Sequence, residues 1–108
     1  MSGGFVDAKP LVVTTVEANA FIYPVPQDTF THSDAKATIL LTASMPDGAP
    51  LPNWMAFDPV KKVVTGVPPN GVNGEFTVIV TAHDQFGGEA KTELKIKVGR
   101  MDSTASLR

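Results

Sequence analysis

Two segments near the C-terminal end of the chain carry an apolar residue at every second position. In residues 76–82 every second residue is apolar, and in residues 93–98 apolar residues alternate with Glu and Lys. Successive side chains of a β-strand point to opposite faces, so this pattern predicts two strands that each bury one face. Residues 83–88 are polar and rich in glycine, and they predict the connection of a β-hairpin.

Further short segments read as strands separated by turns. Residues 11–16 are rich in β-branched side chains and predict an edge strand, whereas the nearly continuous apolar run 38–43 predicts a strand deep in the core. Residues 20–23 and 62–66 predict two more strands, and prolines and glycines punctuate the chain between them. No amphipathic helical stretch is present. The pattern predicts an all-β fold, an antiparallel Greek-key β-sandwich of about seven strands.

The length and composition suit one globular domain. The chain has 108 residues, of which 43% are hydrophobic and 19% charged, and a sandwich of this size buries a real core without a metal or disulfide. We predict an N-terminal extension at residues 1–10, the sandwich at 11–98 and a C-terminal tail at 99–108.

Charge and composition exclude several classes of function. The net charge is −2, and the nearest approach to a basic cluster, Lys91, Lys95 and Lys97, alternates with Glu93 as on a solvated strand face. We therefore expect no nucleic-acid partner and no direct membrane contact. The chain has no cysteine, which excludes disulfides and thiolate chemistry. Motifs of nucleophilic, phosphate-binding or zinc enzymes are also missing, so we predict a non-catalytic protein.

An ordered series of short motifs carries a more specific signal. It consists of Asp28-Thr29-Phe30, Leu51-Pro52, Trp54, Phe57-Asp58, Gly66, Pro68, Gly74, Phe76, Val78, Val80, Ala82, Asp84 and Gly87. In this order and spacing, residues 11–98 resemble the dystroglycan-type cadherin-like domains and the related bacterial modules called putative Ig domains. The resemblance implies an immunoglobulin- or cadherin-like sandwich.

The large aromatic residues and the glycines of these motifs have a structural interpretation. We expect Trp54 and Phe57 to plug one end of the sandwich, with loss of Trp54 costing about 3–5 kcal/mol. The alternative is that Trp54 is an exposed platform for stacking sugars. Gly66 and Gly74 are interpreted as turn residues whose backbone angles need no Cβ.

The resemblance also implies a calcium site at a junction with a neighbouring module. The matching carboxylates are Asp28, Asp34 and Asp84, and Glu17 could join them from the N-terminal strand. His32 and Lys36 stand where the resembled pattern has acids, and neither side chain suits calcium, which prefers oxygen ligands. The alternative is that Asp28 and Asp34 make turn hydrogen bonds while Asp84 opens the hairpin loop.

Three functional hypotheses follow from the resemblance. The first is an adhesion or spacer module of a larger surface or secreted protein, placed outside the cell although the N-terminus lacks a signal-peptide pattern and stiffened by calcium against neighbouring modules. The second is a carbohydrate-binding accessory module of a secreted polysaccharide-degrading enzyme, which would require exposed aromatics among Tyr23, Phe30 and Phe86. The third is a structural module without a ligand.

Overall fold

A computed structural model describes residues 4–34 and 36–100, which fold entirely into strands and connections. The nine strands are β1 (Phe5–Ala8), β2 (Leu11–Val16), β3 (Phe21–Pro24), β4 (Phe30–His32), β5 (Leu40–Ser44), β6 (Met55–Asp58), β7 (Val63–Gly66), β8 (Gly74–His83) and β9 (Glu89–Gly99). No helix in these residues has the length and apolar character needed to cross a membrane. The predicted all-β class is confirmed.

Seven of the strands form two sheets, as predicted for the sandwich. One sheet has the order β2-β9-β8-β5 and the other the order β3-β7-β6, while β1 and β4 form a separate pair. Strand β2 lies at an edge, as predicted, but it pairs in parallel with β9; the other pairs are antiparallel. Strand β1 falls within the segment predicted as an N-terminal extension.

The hydrophobic core lies between the two sheets and follows the alternation seen in the sequence. The side chains of Val78 and Val80 in β8 and of Leu94 and Ile96 in β9 are fully buried, and Val64 in β7 faces them from the other sheet. Burying a side chain of this size contributes about 1.5–3 kcal/mol. The predicted C-terminal hairpin is confirmed, with His83 paired to Glu89 at its tip.

The apolar run at residues 38–43 is not a deeply buried strand, so that prediction is wrong. Strand β5 begins at Leu40 and lies at the edge of its sheet, paired only with β8. Leu41 is 4% exposed whereas Leu40 is 55% exposed. An edge strand with one inward face buries only alternate residues, and a continuous apolar run does not reveal which sheet position a strand takes.

Trp54 packs into the structure rather than forming an exposed platform. Its ring meets Phe76 edge-to-face, with centroids 5.6 Å apart. Trp54 and Phe57 are both partly buried and pack against the core, in agreement with the structural interpretation.

Gly66 was predicted to be a turn residue, but it lies in a strand and is packed closely by its neighbours. It is the last residue of β7, and a Cβ there would lie 2.8 Å from the Phe21 ring and 3.0 Å from the Trp54 carbonyl oxygen. The position therefore needs a glycine for close packing. Gly74 is the first residue of β8 rather than a turn residue, but its φ of +105° is a backbone conformation that favours glycine, as predicted.

The described chain enters and leaves the sandwich at opposite ends. Gly4 exchanges hydrogen bonds with Ser33, beside the β8–β9 loop. Strand β9 runs away from that loop to Gly99, which lies next to Val16 and near the start of β8. The ten residues of β8 separate the two ends by about 30 Å, at roughly 3.3 Å per residue.

Candidate functional site

The β8–β9 loop is built around the carboxylate of Asp84. Asp84 Oδ1 accepts hydrogen bonds from the backbone N–H of Phe86 at 2.9 Å and of Gly88 at 2.6 Å. The backbone N–H of Asp84 donates to the Gly88 carbonyl at 3.0 Å. An aspartate that accepts from N–H groups ahead of it in the chain stabilises a tight turn. Gly87 supports the turn with φ +90°.

The second oxygen of Asp84 contacts the imidazole of His32, at the end of β4. Asp84 Oδ2 lies 2.8 Å from His32 Nε2, and the side chains are 0% and 6% exposed respectively. The other ring nitrogen, Nδ1, accepts a hydrogen bond from the backbone N–H of Asp34 at 2.9 Å. Because Nδ1 must carry a lone pair to accept, the proton resides on Nε2, and the neutral ring donates it to Asp84.

We call the contact between His32 and Asp84, together with the loop residues 84–88, the His32–Asp84 clamp. Two further contacts lie around it. The Phe5 ring stands edge-on to the imidazole, with centroids 4.8 Å apart and an angle of 82°. The Gln85 side-chain carbonyl accepts a hydrogen bond from the backbone N–H of Thr38 at 2.8 Å. The β8–β9 loop is therefore joined to β4 and to the residues before β5 by the side chains of His32 and Gln85.

The surroundings of Asp84 stabilise its ionised form. Its pKa is lowered, first by the hydrogen bond from His32 and then by the N–H groups of Gly88 and Phe86, against the opposing effect of burial. Asp84 therefore remains a carboxylate that accepts three hydrogen bonds inside the domain.

The four predicted calcium ligands have separate partners. Asp28 is exposed and forms an ion pair with Lys9 at 3.1 Å. Asp34 Oδ1 accepts from the Lys36 backbone N–H at 2.9 Å, as in a turn. Glu17 Oε2 accepts from the Gly71 backbone N–H at 2.8 Å, near the end of the sandwich where the chain leaves, whereas Asp84 lies at the other end.

This arrangement does not fit a calcium ion. Calcium takes six to eight oxygen ligands at roughly 2.3–2.6 Å, but Asp84 already directs both oxygens to N–H donors. Within residues 4–34 and 36–100, no group of three His, Asp or Glu side chains could hold a metal ion. Calcium binding stays a prediction, which the unfolding experiment described below tests.

The aromatic residues named for carbohydrate binding do not form a shared platform. Tyr23 and Phe30 are partly buried and pack against the core, and Phe30 also meets Phe5 edge-to-face. Phe86 is 47% exposed on the β8–β9 loop. Of the three, Phe86 alone offers a substantial exposed ring.

Sequence reasoning overlooked His32, Gln85 and Gly88 as parts of this region. The family resemblance marks His32 only as a substitution that weakens a metal site, and the sequence does not reveal its contact with Asp84. Gly88 has a signal in the sequence, because two consecutive glycines follow Asp84 within the loop. A Cβ on Gly88 would lie 2.5 Å from Asp84 Oδ2, so the loop wraps the carboxylate too tightly for a side chain.

Comparison with known families agrees with this fold. The family model described as "Putative Ig domain" matches residues 5–99, which is most of the chain. The chain belongs to the putative Ig domain family. No curated protein sequence matches this Ig domain.

Solved structures show the same fold in different settings. Two Bacteroides fragilis proteins, described as a putative α-galactosidase/melibiase and a putative α-galactosidase, are similar with TM-scores of 0.63 and 0.64 and identities of 22% and 19%. Each alignment covers 91% of this chain but 18% of the other. The first Ig-like domain of human CD48 antigen gives a TM-score of 0.58 at 14% identity, covering 94% of this chain and 92% of that one. These likenesses show the fold.

Proposed function

We propose that this Ig domain is a non-catalytic spacer module that sets the distance and orientation between neighbouring domains of a larger protein. The observation that carries the proposal is the placement of Gly4 and Gly99 at opposite ends of the sandwich. A module joined in line through such ends holds its neighbours about 30 Å apart.

Two further features support a spacer that resists bending. At the entry end, Gly4 and Ser33 exchange two hydrogen bonds, at 2.8 and 2.9 Å. At the exit end, the Glu17 backbone N–H donates to the Gly99 carbonyl at 3.0 Å. The chain is thus tied to the fold where it enters and where it leaves. Adhesion through neighbouring modules and an extracellular or cell-surface location belong to the proposal, and they rest on the family resemblance.

A distance measurement tests the spacer role. Residues 4–100 would be fused between two small folded domains that each carry one spin label, and the inter-label distances would be measured by double electron–electron resonance. We expect a narrow distribution centred about 30 Å beyond that of a direct fusion. The control replaces the Ig domain with a Gly/Ser linker of equal residue number, which behaves as a flexible coil. A distribution as broad as that of the linker would refute the spacer role.

Carbohydrate binding is the second candidate function, supported by the exposed ring of Phe86 and by the presence of similar folds in two proteins described as putative α-galactosidases. Affinity electrophoresis against a panel of soluble polysaccharides tests it. Retardation of the wild type that disappears in Phe86→Ala would favour this function. Because the backbone N–H of residue 86 remains in the variant, the loop around Asp84 is expected to persist.

A further inference from the structure

The carboxylate of Asp84 is buried and accepts three hydrogen bonds from the protein itself. Its side chain is 0% exposed, one oxygen accepts from two backbone N–H groups, and the other accepts from His32. A buried carboxylate normally needs such a set of donors or a cation to balance its charge. Here three protein donors balance the charge, and both oxygens have a partner.

His32, at the end of β4, connects the β1–β4 pair to the β8–β9 loop, and both of its ring nitrogens form hydrogen bonds. Nδ1 accepts from Asp34 and Nε2 donates to Asp84, at 2.9 and 2.8 Å. The ring therefore links Asp34, which follows β4, to the loop after β8, and His32 and Asp84 are themselves 52 residues apart along the chain. It also occupies the position next to Asp84 Oδ2 that a cation bound to that oxygen would need.

The contacts around the clamp also hold the segment at which the described chain enters the domain. Phe5 covers the imidazole edge-on, and Ser33, adjacent to His32, holds Gly4 through the bonds described above. Movement of His32 would disturb the β1–β4 pair, since Phe5 is paired with His32 in the register of these strands.

We propose that His32 performs in this domain the structural task of a bound cation, joining β4 to the β8–β9 loop through Asp84 and so fixing the entry end of the fold without metal. This inference stands whether or not the domain acts as a spacer, because it concerns the integrity of one end of the sandwich.

Thermal unfolding of the wild type with calcium and with a chelator provides the first test. We expect the two midpoints to agree within about 1 °C at about 1 mM calcium. A site with a Kd near 0.1 mM would instead raise the midpoint by roughly 6 °C or more. Such a rise, abolished in Asp84→Asn, would overturn the proposal.

A double-mutant cycle between the two side chains provides the second test. His32→Ala and Asp84→Asn should each lower the midpoint by roughly 5 °C or more, and the double variant should fall short of their sum because the two changes remove one shared contact. The matched control is His83→Ala, the other histidine of the chain. Additive effects, or a loss in His32→Ala no larger than in His83→Ala, would overturn the proposal.

The ring tautomer can be observed in the wild type, so the test survives if a variant fails to fold. A long-range proton–nitrogen NMR spectrum should show His32 with a protonated Nε2 and an unprotonated Nδ1, unchanged by about 1 mM calcium. The opposite tautomer, or a spectrum that changes on adding calcium, would contradict the clamp.

Discussion

Replacing Gly66 by alanine would place a methyl group against the side chain of Phe21. The new Cβ would lie 2.8 and 2.9 Å from two carbons of the Phe21 ring and 3.0 Å from the Trp54 carbonyl oxygen. Neither the Phe21 ring nor the Trp54 carbonyl can move away from the added methyl group without losing contacts of its own. Phe21 is 8% exposed within the core, and the Trp54 carbonyl accepts a hydrogen bond from the Val67 backbone N–H at 3.0 Å.

The expected loss can be estimated from two opposing effects. Overpacking a core of this kind costs about 1–3 kcal/mol. Exchanging glycine for alanine restricts the unfolded chain and returns about 0.4–1 kcal/mol. The free energy of unfolding should therefore fall by about 1–2 kcal/mol, which lowers the midpoint of thermal unfolding by roughly 10 °C in a domain of this size.

Urea unfolding followed by the fluorescence of Trp54, the single tryptophan, would measure this loss. The matched control is Gly4→Ala, where an added Cβ meets no atom within 4 Å, and stability should change little. In Phe21→Leu, the smaller side chain leaves room for the methyl group, so adding Gly66→Ala to it should cost about 1 kcal/mol less than in the wild type. A loss below about 0.5 kcal/mol, or strict additivity with Phe21→Leu, would refute the packing argument.

Two further predictions concern buried polar groups. The Thr29 hydroxyl, in a residue 1% exposed, has no hydrogen-bond partner in the described part of the chain, so Thr29→Val should raise the free energy of unfolding in urea by about 1 kcal/mol; the control Thr92→Val removes a 2.6 Å bond to the Lys9 carbonyl and should lower it. The pKa of folded Asp84 lies below its ordinary value of 3.8, chiefly through His32, so this carboxylate contributes stability above about pH 4 that disappears as the pH falls through the folded pKa. Urea midpoints measured between about pH 6 and pH 2.5 should therefore fall less steeply in Asp84→Asn than in the wild type, and parallel curves would contradict this assignment.

Much of the fold could be predicted because alternation is a local property of the chain. The inward faces of β8 and β9 follow from the period of two, since successive strand residues point to opposite sides of a sheet. The edge position of β2 and the core packing of Trp54 were also predicted. The position of β5 was not predicted, because an apolar run has the same composition at the edge of a sheet as in its centre. The strands that pair with β5 determine which position it takes.

In the His32–Asp84 clamp, too, the local features could be predicted from the sequence whereas the contacts between distant residues could not. That Asp84 opens a glycine-rich loop could be predicted from the neighbouring residues, because turn chemistry is local. That His32 stands where the resembled pattern has an acid is implied by the family resemblance. The contact between His32 and Asp84, the use of both imidazole nitrogens, and the need for a glycine at position 66 beside Phe21 all depend on the folded arrangement. Contacts between residues dozens of positions apart depend on how the sheets pair and stack, and side-chain packing across that distance leaves no periodic trace in the chain.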